Sequence, residues 1–143
     1  MGNPSLTKIY QAALLLYGMS TCNVPGTNGG QAACMWAVNQ VVDKGLGYYV
    51  AGGTMYVPAA VSAFDSGAAA QLGQSQTVPG DLVVVTSPDG SAMHIGVCMS
   101  DECTSILSNS SRQCNFDWLS NNLFQYNGSP YNGGSAAFYR LNG

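Results

Sequence analysis

Two side chains in this sequence have the types needed for nucleophilic catalysis, a cysteine at the head of a helix and the one histidine of the chain. Cys34 follows the run Asn28-Gly29-Gly30 and opens a segment with helical spacing of apolar residues, read as a helix from about Gln31 to Lys44 with Gly45 as its stop. A thiol attacks as the thiolate. Unpaired N–H groups at a helix N-terminus and a neighbouring imidazolium both favour that charge. The same N–H groups, that of Cys34 included, suit the oxyanion that forms when a thiolate adds to a carbonyl. Gly30 leaves room for a substrate backbone, and Gln31 and Trp36 are further candidates for substrate binding.

A lone cysteine on an amphipathic helix is more often a small core residue than a nucleophile. His94 changes that balance. It begins a strand read as His94–Ser100, directly after the loop 89–93, so its ring belongs near a sheet end. Gly96 lies two residues on, and its missing side chain is expected to let the Cys34 helix approach the sheet.

A base of this kind needs a third group to fix its tautomer. If Asp101-Glu102 forms a two-residue turn, antiparallel partners sum to 203 and His94 faces Asn109. Directly opposed side chains lie about 5 Å apart on one face. Asn109 is therefore the expected third catalytic residue. A turn with an odd number of residues would bring Ser108 or Ser110 there instead.

The elements that must position these groups read as α+β. A helix is expected over 4–17, capped by Asn3, with a loop over 20–30 and a third helix over 58–66. Positions 68–76 read as a low-complexity connector. Leu82–Val85 is an apolar run of strand length after Gly80-Asp81, and further strands are expected over 104–111 and 136–141. Positions 118–125 read as a short helix or loop, and 126–134 as an exposed loop bordering a groove. The aromatic residues Tyr48, Tyr49, Tyr56 and Trp118 are further groove candidates. At 143 residues, with no repeat and no boundary, residues 1–143 make a single domain.

Composition narrows the partners. Only 8% of residues are charged, the net charge is −3, and the four basic residues Lys8, Lys44, Arg112 and Arg140 are scattered. That excludes a phosphate-tracking surface, so nucleic acid is not an expected partner. No apolar run is long enough to span a bilayer, so no membrane insertion is expected. Met1-Gly2-Asn3-Pro4 does not read as a signal peptide. Five cysteines leave one unpaired within the chain; one reactive thiol with two disulfides would suit an oxidising compartment. One histidine and spread cysteines lack the paired spacing of a zinc site, so no metal and no cofactor are expected.

These segments resemble the NlpC-type and CHAP-type peptidoglycan hydrolases, compact papain-like cysteine peptidases. The resemblance rests on Gly29-Gly30-Gln31-Ala32-Ala33-Cys34-Met35-Trp36, on Val78-Pro79-Gly80-Asp81-Leu82, on His94-Ile95-Gly96-Val97, and on Ile106-Leu107-Ser108-Asn109-Ser110. Phe138-Tyr139-Arg140 is similar to the closing strand. The nucleophile motif departs from both patterns: NlpC-type enzymes usually show Asp-Cys-Ser-Gly, CHAP-type ones often place Gln directly before Cys, and here Gln31 lies three residues before.

The resemblance implies a papain-like minimal fold, with N-terminal helices packed on an antiparallel sheet. It implies a monomeric cysteine amidase that cleaves a stem peptide, a cross-link or the sugar–peptide junction through a thioester. It further implies a secreted, periplasmic or wall-delivered protein, and a cognate immunity protein if the enzyme is a toxin. The competing expectations are an acyltransferase or deamidase acting on proteins, or a non-enzymatic binding module. Asp81 is expected to anchor its turn rather than to join the chemistry.

Overall fold

The computed structural model describes residues 3–27, 29, 33–121 and 129–142. Gly30 and Gln31 lie outside the described residues. The chain folds as α+β, with three helices preceding most of a six-stranded antiparallel sheet.

Helix α1 spans Pro4–Leu16. The Asn3 carboxamide oxygen accepts from the Ser5 N–H at 2.9 Å, satisfying a first-turn amide that the helix itself cannot. Pro4, which has no N–H to satisfy, occupies the first turn. Leu6, Ile9, Ala12 and Ala13 form the buried stripe. Helix α2 spans Cys34–Leu46, so Cys34 is its first residue. It runs through Gly45 and ends at Gly47, which takes the left-handed conformation (φ 85°) that glycine adopts without strain. Gly45 is instead a contact point: a Cβ there would lie 2.9 Å from the Lys8 carbonyl oxygen of α1.

A short 3₁₀ turn spans Val50–Gly53. Helix α3, Val57–Ala63, continues into one π turn, Phe64–Ala68, where Gly67 has positive φ.

The strands are β1 Ala69–Leu72, β2 Leu82–Thr86, β3 Met93–Cys98, β4 Ser105–Ser110, β5 Asn115–Asn121 and β6 Ser135–Leu141. Their order in the sheet is β1-β6-β2-β3-β4-β5. Helices α1 and α2 cover one face, on Leu82, Val84, Ile95, Val97 and Leu107. The other face carries a smaller cluster of Val83, Val85, Cys98, Ile106 and Phe138.

The Pro79-Gly80-Asp81 segment joins these layers. Gly80 has φ 102° and lies against the backbone of Leu6 in α1, so any Cβ there would collide with the Leu6 carbonyl. The Asp81 side chain is fully buried. It accepts from Arg140 Nε at 2.9 Å and Nη2 at 2.8 Å, a bidentate pair, and from the Val78 N–H at 2.9 Å. Asp81 thus ties the turn before β2 to β6, as expected of an anchor. Gly80→Ala should cost about 2–3 kcal/mol, from positive φ and the clash with α1. Urea unfolding checks this; an unchanged midpoint would mean that α1 is not docked on this turn.

Candidate active site

Cys34 is the free cysteine; the other four form Cys22–Cys114 and Cys98–Cys103. It heads α2 after Ala33, which supplies no side-chain cap, so the first-turn N–H groups have no capping side chain to occupy them. Such a terminus suits negative charge. Burial nevertheless raises the Cys34 thiol above its ordinary value. The N–H groups of Ile95, Met35 and Cys34 act on the sulfur in the opposite direction without overcoming burial. The thiolate expected from helix position alone is therefore not the resting form.

The Ile95 N–H places the sulfur beside β3, one residue from His94. The paired positions of β3 and β4 are Val97–Leu107 and Cys98–Ile106. Among the described residues no β3–β4 ladder pair is formed on the His94 side of Val97, and the Cys34 sulfur meets the backbone of β3 at Ile95. Ile95 and Val97 face α2. His94 and Gly96 alternate with them and occupy the other face, Gly96 opposite Val83. Gly96 therefore lies on the face away from α2 and does not make room for it, contrary to expectation.

The β3–β4 register corrects a second expectation. Partners sum to 204, because the connection contains an odd number of residues, the 3₁₀ turn Asp101–Cys103. Residues of His94's parity therefore share its face. His94 Nε2 lies 3.0 Å from Ser108 Oγ. Asn109 points to the helical side, where its Oδ1 accepts from Thr21 Oγ1 at 2.6 Å in a buried contact. A register irregularity between β4 and β5 falls at Ser108/Ser110. The residue beside the imidazole is thus Ser108, and Asn109 anchors the loop that leads toward α2.

The His94 ring is 8% exposed. It lies between the rings of Trp118 at 5.4 Å and Tyr131 at 6.0 Å, both tilted relative to it. Trp118 stands directly opposite Ser108 across the β4–β5 ladder. This apolar box shields the imidazole–hydroxyl contact, and burial pushes the His94 pKa down to about 4. Among the described residues no hydrogen bond joins sulfur to ring, so the pair rests as thiol and neutral imidazole. Trp118 was a groove candidate in the sequence; Tyr131 had only its place in an expected loop to mark it.

Cys34 and His94 open into one cleft of about 390 Å³. Met55, Tyr56, Val57 and Pro58 supply an apolar wall, and Gly90, Ser91 and Ala92 a small-residue wall. The second wall is shaped by Asp89, whose Oδ1 accepts from Ser87 Oγ at 2.7 Å, Ser91 N at 3.0 Å and Ser91 Oγ at 2.7 Å. The Ser91 N–H, then the two hydroxyls, hold that carboxyl at about 2. Trp36 does not reach the cleft; it packs partly buried against the main core. A separate hollow of about 340 Å³ between α1 and α2, lined by Lys8, Gln11, Leu15 and Lys44, contains no nucleophile.

An uncapped helix start bearing a free thiol, beside a buried histidine held by a hydroxyl, defines a candidate thiol-dependent acyl-transfer site. No family model, curated protein or solved structure matches this chain.

Proposed function

We propose that this chain is a papain-like cysteine amidase that hydrolyses an amide of peptidoglycan. The observation that carries the proposal is the meeting, in one open cleft, of the unpaired Cys34 and the sole histidine. The sequence resemblance to NlpC-type and CHAP-type hydrolases supplies the substrate. The two disulfides support an oxidising compartment such as a cell exterior or periplasm. No helix among the described residues is long and apolar enough to cross a membrane.

In this reading His94 works as a general base from its neutral form. With the Nε2 hydrogen directed to Ser108 Oγ, Nδ1 takes the thiol proton as Cys34 Sγ adds to the scissile carbonyl. No hydrogen bond joins sulfur and ring at rest among the described residues, so this step requires substrate entry to bring Sγ and Nδ1 together. The carbonyl oxygen becomes an oxyanion held by the N–H groups at the start of α2. The Nδ1 proton then passes to the leaving amine as the C–N bond breaks, leaving a thioester. His94 next takes a proton from water as its hydroxide adds to the thioester carbonyl; the C–S bond then breaks and the same proton returns from Nδ1 to the sulfur, which leaves as the thiol. Ser108 holds the ring orientation without adding a negative charge, in keeping with the low basicity of the imidazole.

Mass spectrometry of fragments released from purified sacculi tests the proposal. The wild type should release peptides with a newly formed carboxylate and amine, and Cys34→Ala should release none. Equal release by both proteins would end it. Inert sacculi together with Cys34-dependent modification of a protein glutamine or amine would move the site to deamidation or acyl transfer.

A further inference from the structure

Among the described residues, the cleft at Cys34 has no charged lining residue. Positions 28, 30–32 and 122–128, which lie outside the described residues, include no Asp, Glu, Lys or Arg in the sequence. The residues flanking the reacting amide are therefore met by apolar and small neutral groups. A charged side chain there would lose hydration without gaining a partner.

A second hollow of about 440 Å³ adjoins this cleft. It is lined by Ser110, Ser111, Arg112, Gln113 and Trp118, and Ser111 lines both spaces. Arg112 is exposed and makes no ion pair or side-chain hydrogen bond among the described residues. The other cations are placed elsewhere: Arg140 is held by Asp81, and Lys8 and Lys44 line the hollow between α1 and α2. Among the described residues Arg112 is thus the one cation that lines either of these two spaces. Its planar fork, next to an indole and two hydroxyls, matches a carboxylate. The turn that carries it is fixed by the Cys22–Cys114 disulfide two residues on. Nearby acidic groups are Asp89, tied into its own turn, and the partly buried Asp117 on β5.

We propose that the Arg112–Trp118 hollow is a second subsite that binds a substrate carboxylate, while the cleft at Cys34 takes uncharged residues around the scissile amide. The substrate is then a peptide that is neutral at the point of cleavage and anionic further along. This rests on the proposed amidase reading.

The test uses native sacculi and sacculi whose carboxylates have been converted to carboxamides with carbodiimide and ammonia. Co-sedimentation is measured for Cys34→Ala, which cannot turn over. Native sacculi should retain it about tenfold better than amidated ones, the size expected for a charge-assisted hydrogen-bonded pair. Adding Arg112→Gln should bring native retention down to the amidated level, and Arg112→Lys should recover part of it. Equal retention on both sacculi, retention on neither, preference for amidated sacculi, or an undiminished Arg112→Gln double variant would each overturn the subsite. The amidase reading fails separately, if wild type releases no fragment that Cys34→Ala does not.

Discussion

Replacing His94 with Gln is expected to cost activity and to flatten the acid sensitivity of the fold. Fragment release from sacculi should fall by about 10²–10⁴-fold, the range for removal of a positioned general base. The stability effect follows from burial. An unfolded chain protonates this histidine near its ordinary 6.5, whereas the folded chain resists protonation until about 4. Between those values the unfolded state binds more protons, so falling pH favours unfolding. The contribution is fully present above pH 6.5 and is lost as pH falls toward 4. It amounts to about 3 kcal/mol. Guanidinium unfolding at pH 7 and pH 4 should show a wild-type decline larger by about that amount than the decline of His94→Gln. Parallel declines in the two proteins would mean that the ring is solvated or held by a charge. The same pKa governs catalysis. A base that is neutral down to about pH 4 keeps its acid limb well below that of a solvent-exposed imidazole, and a wild-type acid limb centred near 6.5 would contradict the buried site.

The parts of the fold that could be read from the sequence are those with one dominant local signal. Leu82–Val85 is an apolar run of strand length and forms β2, and the strands expected over 94–100 and 136–141 form its neighbours β3 and β6. Asn3 and Pro4 announce α1. The edge strands were hidden. Ala69-Ala70-Gln71-Leu72 has neither alternation nor β-branched residues, and only its pairing with β6 makes it β1. Positions 115–121 mix Asn, Asp, Ser and aromatics because Phe116 packs toward the helices while Trp118 packs on the opposite face. That pattern fits no single period, and the helix or loop expected over 118–125 gives way to strand over its described part, the end of β5. Gly45 looked like a helix stop because its reason for being glycine, the carbonyl of Lys8, comes from another helix.

At the site, sequence picked out the cysteine and the histidine that line one cleft, but it expected Asn109 rather than Ser108 beside the imidazole. A two-residue turn puts Asn109 opposite His94. The actual turn sends Asn109 to the other face and makes 110 the register position opposite His94, and the hydroxyl at the imidazole is that of Ser108, two residues along the same face. A slip of one residue turns every side chain of a strand to the other face. What sets the step is not visible locally. Glu102 and Cys103 adopt positive φ, at 59° and 54°, in a turn closed by the Cys98–Cys103 disulfide. No turn propensity of Asp-Glu-Cys-Thr anticipates that geometry. The consequence is specific: the expected third catalytic residue becomes a structural link to Thr21, and a serine takes its place at the imidazole.

That link belongs to the feature whose removal should cost the most stability. The segment 18–22, which follows α1, runs against the start of β5. Gly18 N–H donates to the Phe116 carbonyl at 2.8 Å, Phe116 N–H to Met19 at 2.8 Å, and Thr21 N–H to Cys114 at 2.7 Å. Cys22–Cys114 closes this zipper across a sequence separation of 92. A cross-link over so long a loop removes much denatured-chain entropy, worth about 4–5 kcal/mol in the loop-closure model. Cys98–Cys103, with a separation of 5, should contribute about 2 kcal/mol. Urea midpoints of Cys22→Ser/Cys114→Ser and Cys98→Ser/Cys103→Ser should therefore fall in that order, the first pair by about twice the second. Equal midpoints, or the reverse order, would show that the zipper holds without its disulfide. The effect should extend to catalysis, because the same zipper carries the approach to Cys34 on one side and the Ser108 and Arg112 region on the other. Under conditions where Cys22→Ser/Cys114→Ser remains folded, its fragment release from sacculi should still be lower than that of wild type. Release equal to wild type would confine the disulfide to stability and detach it from the geometry of the site.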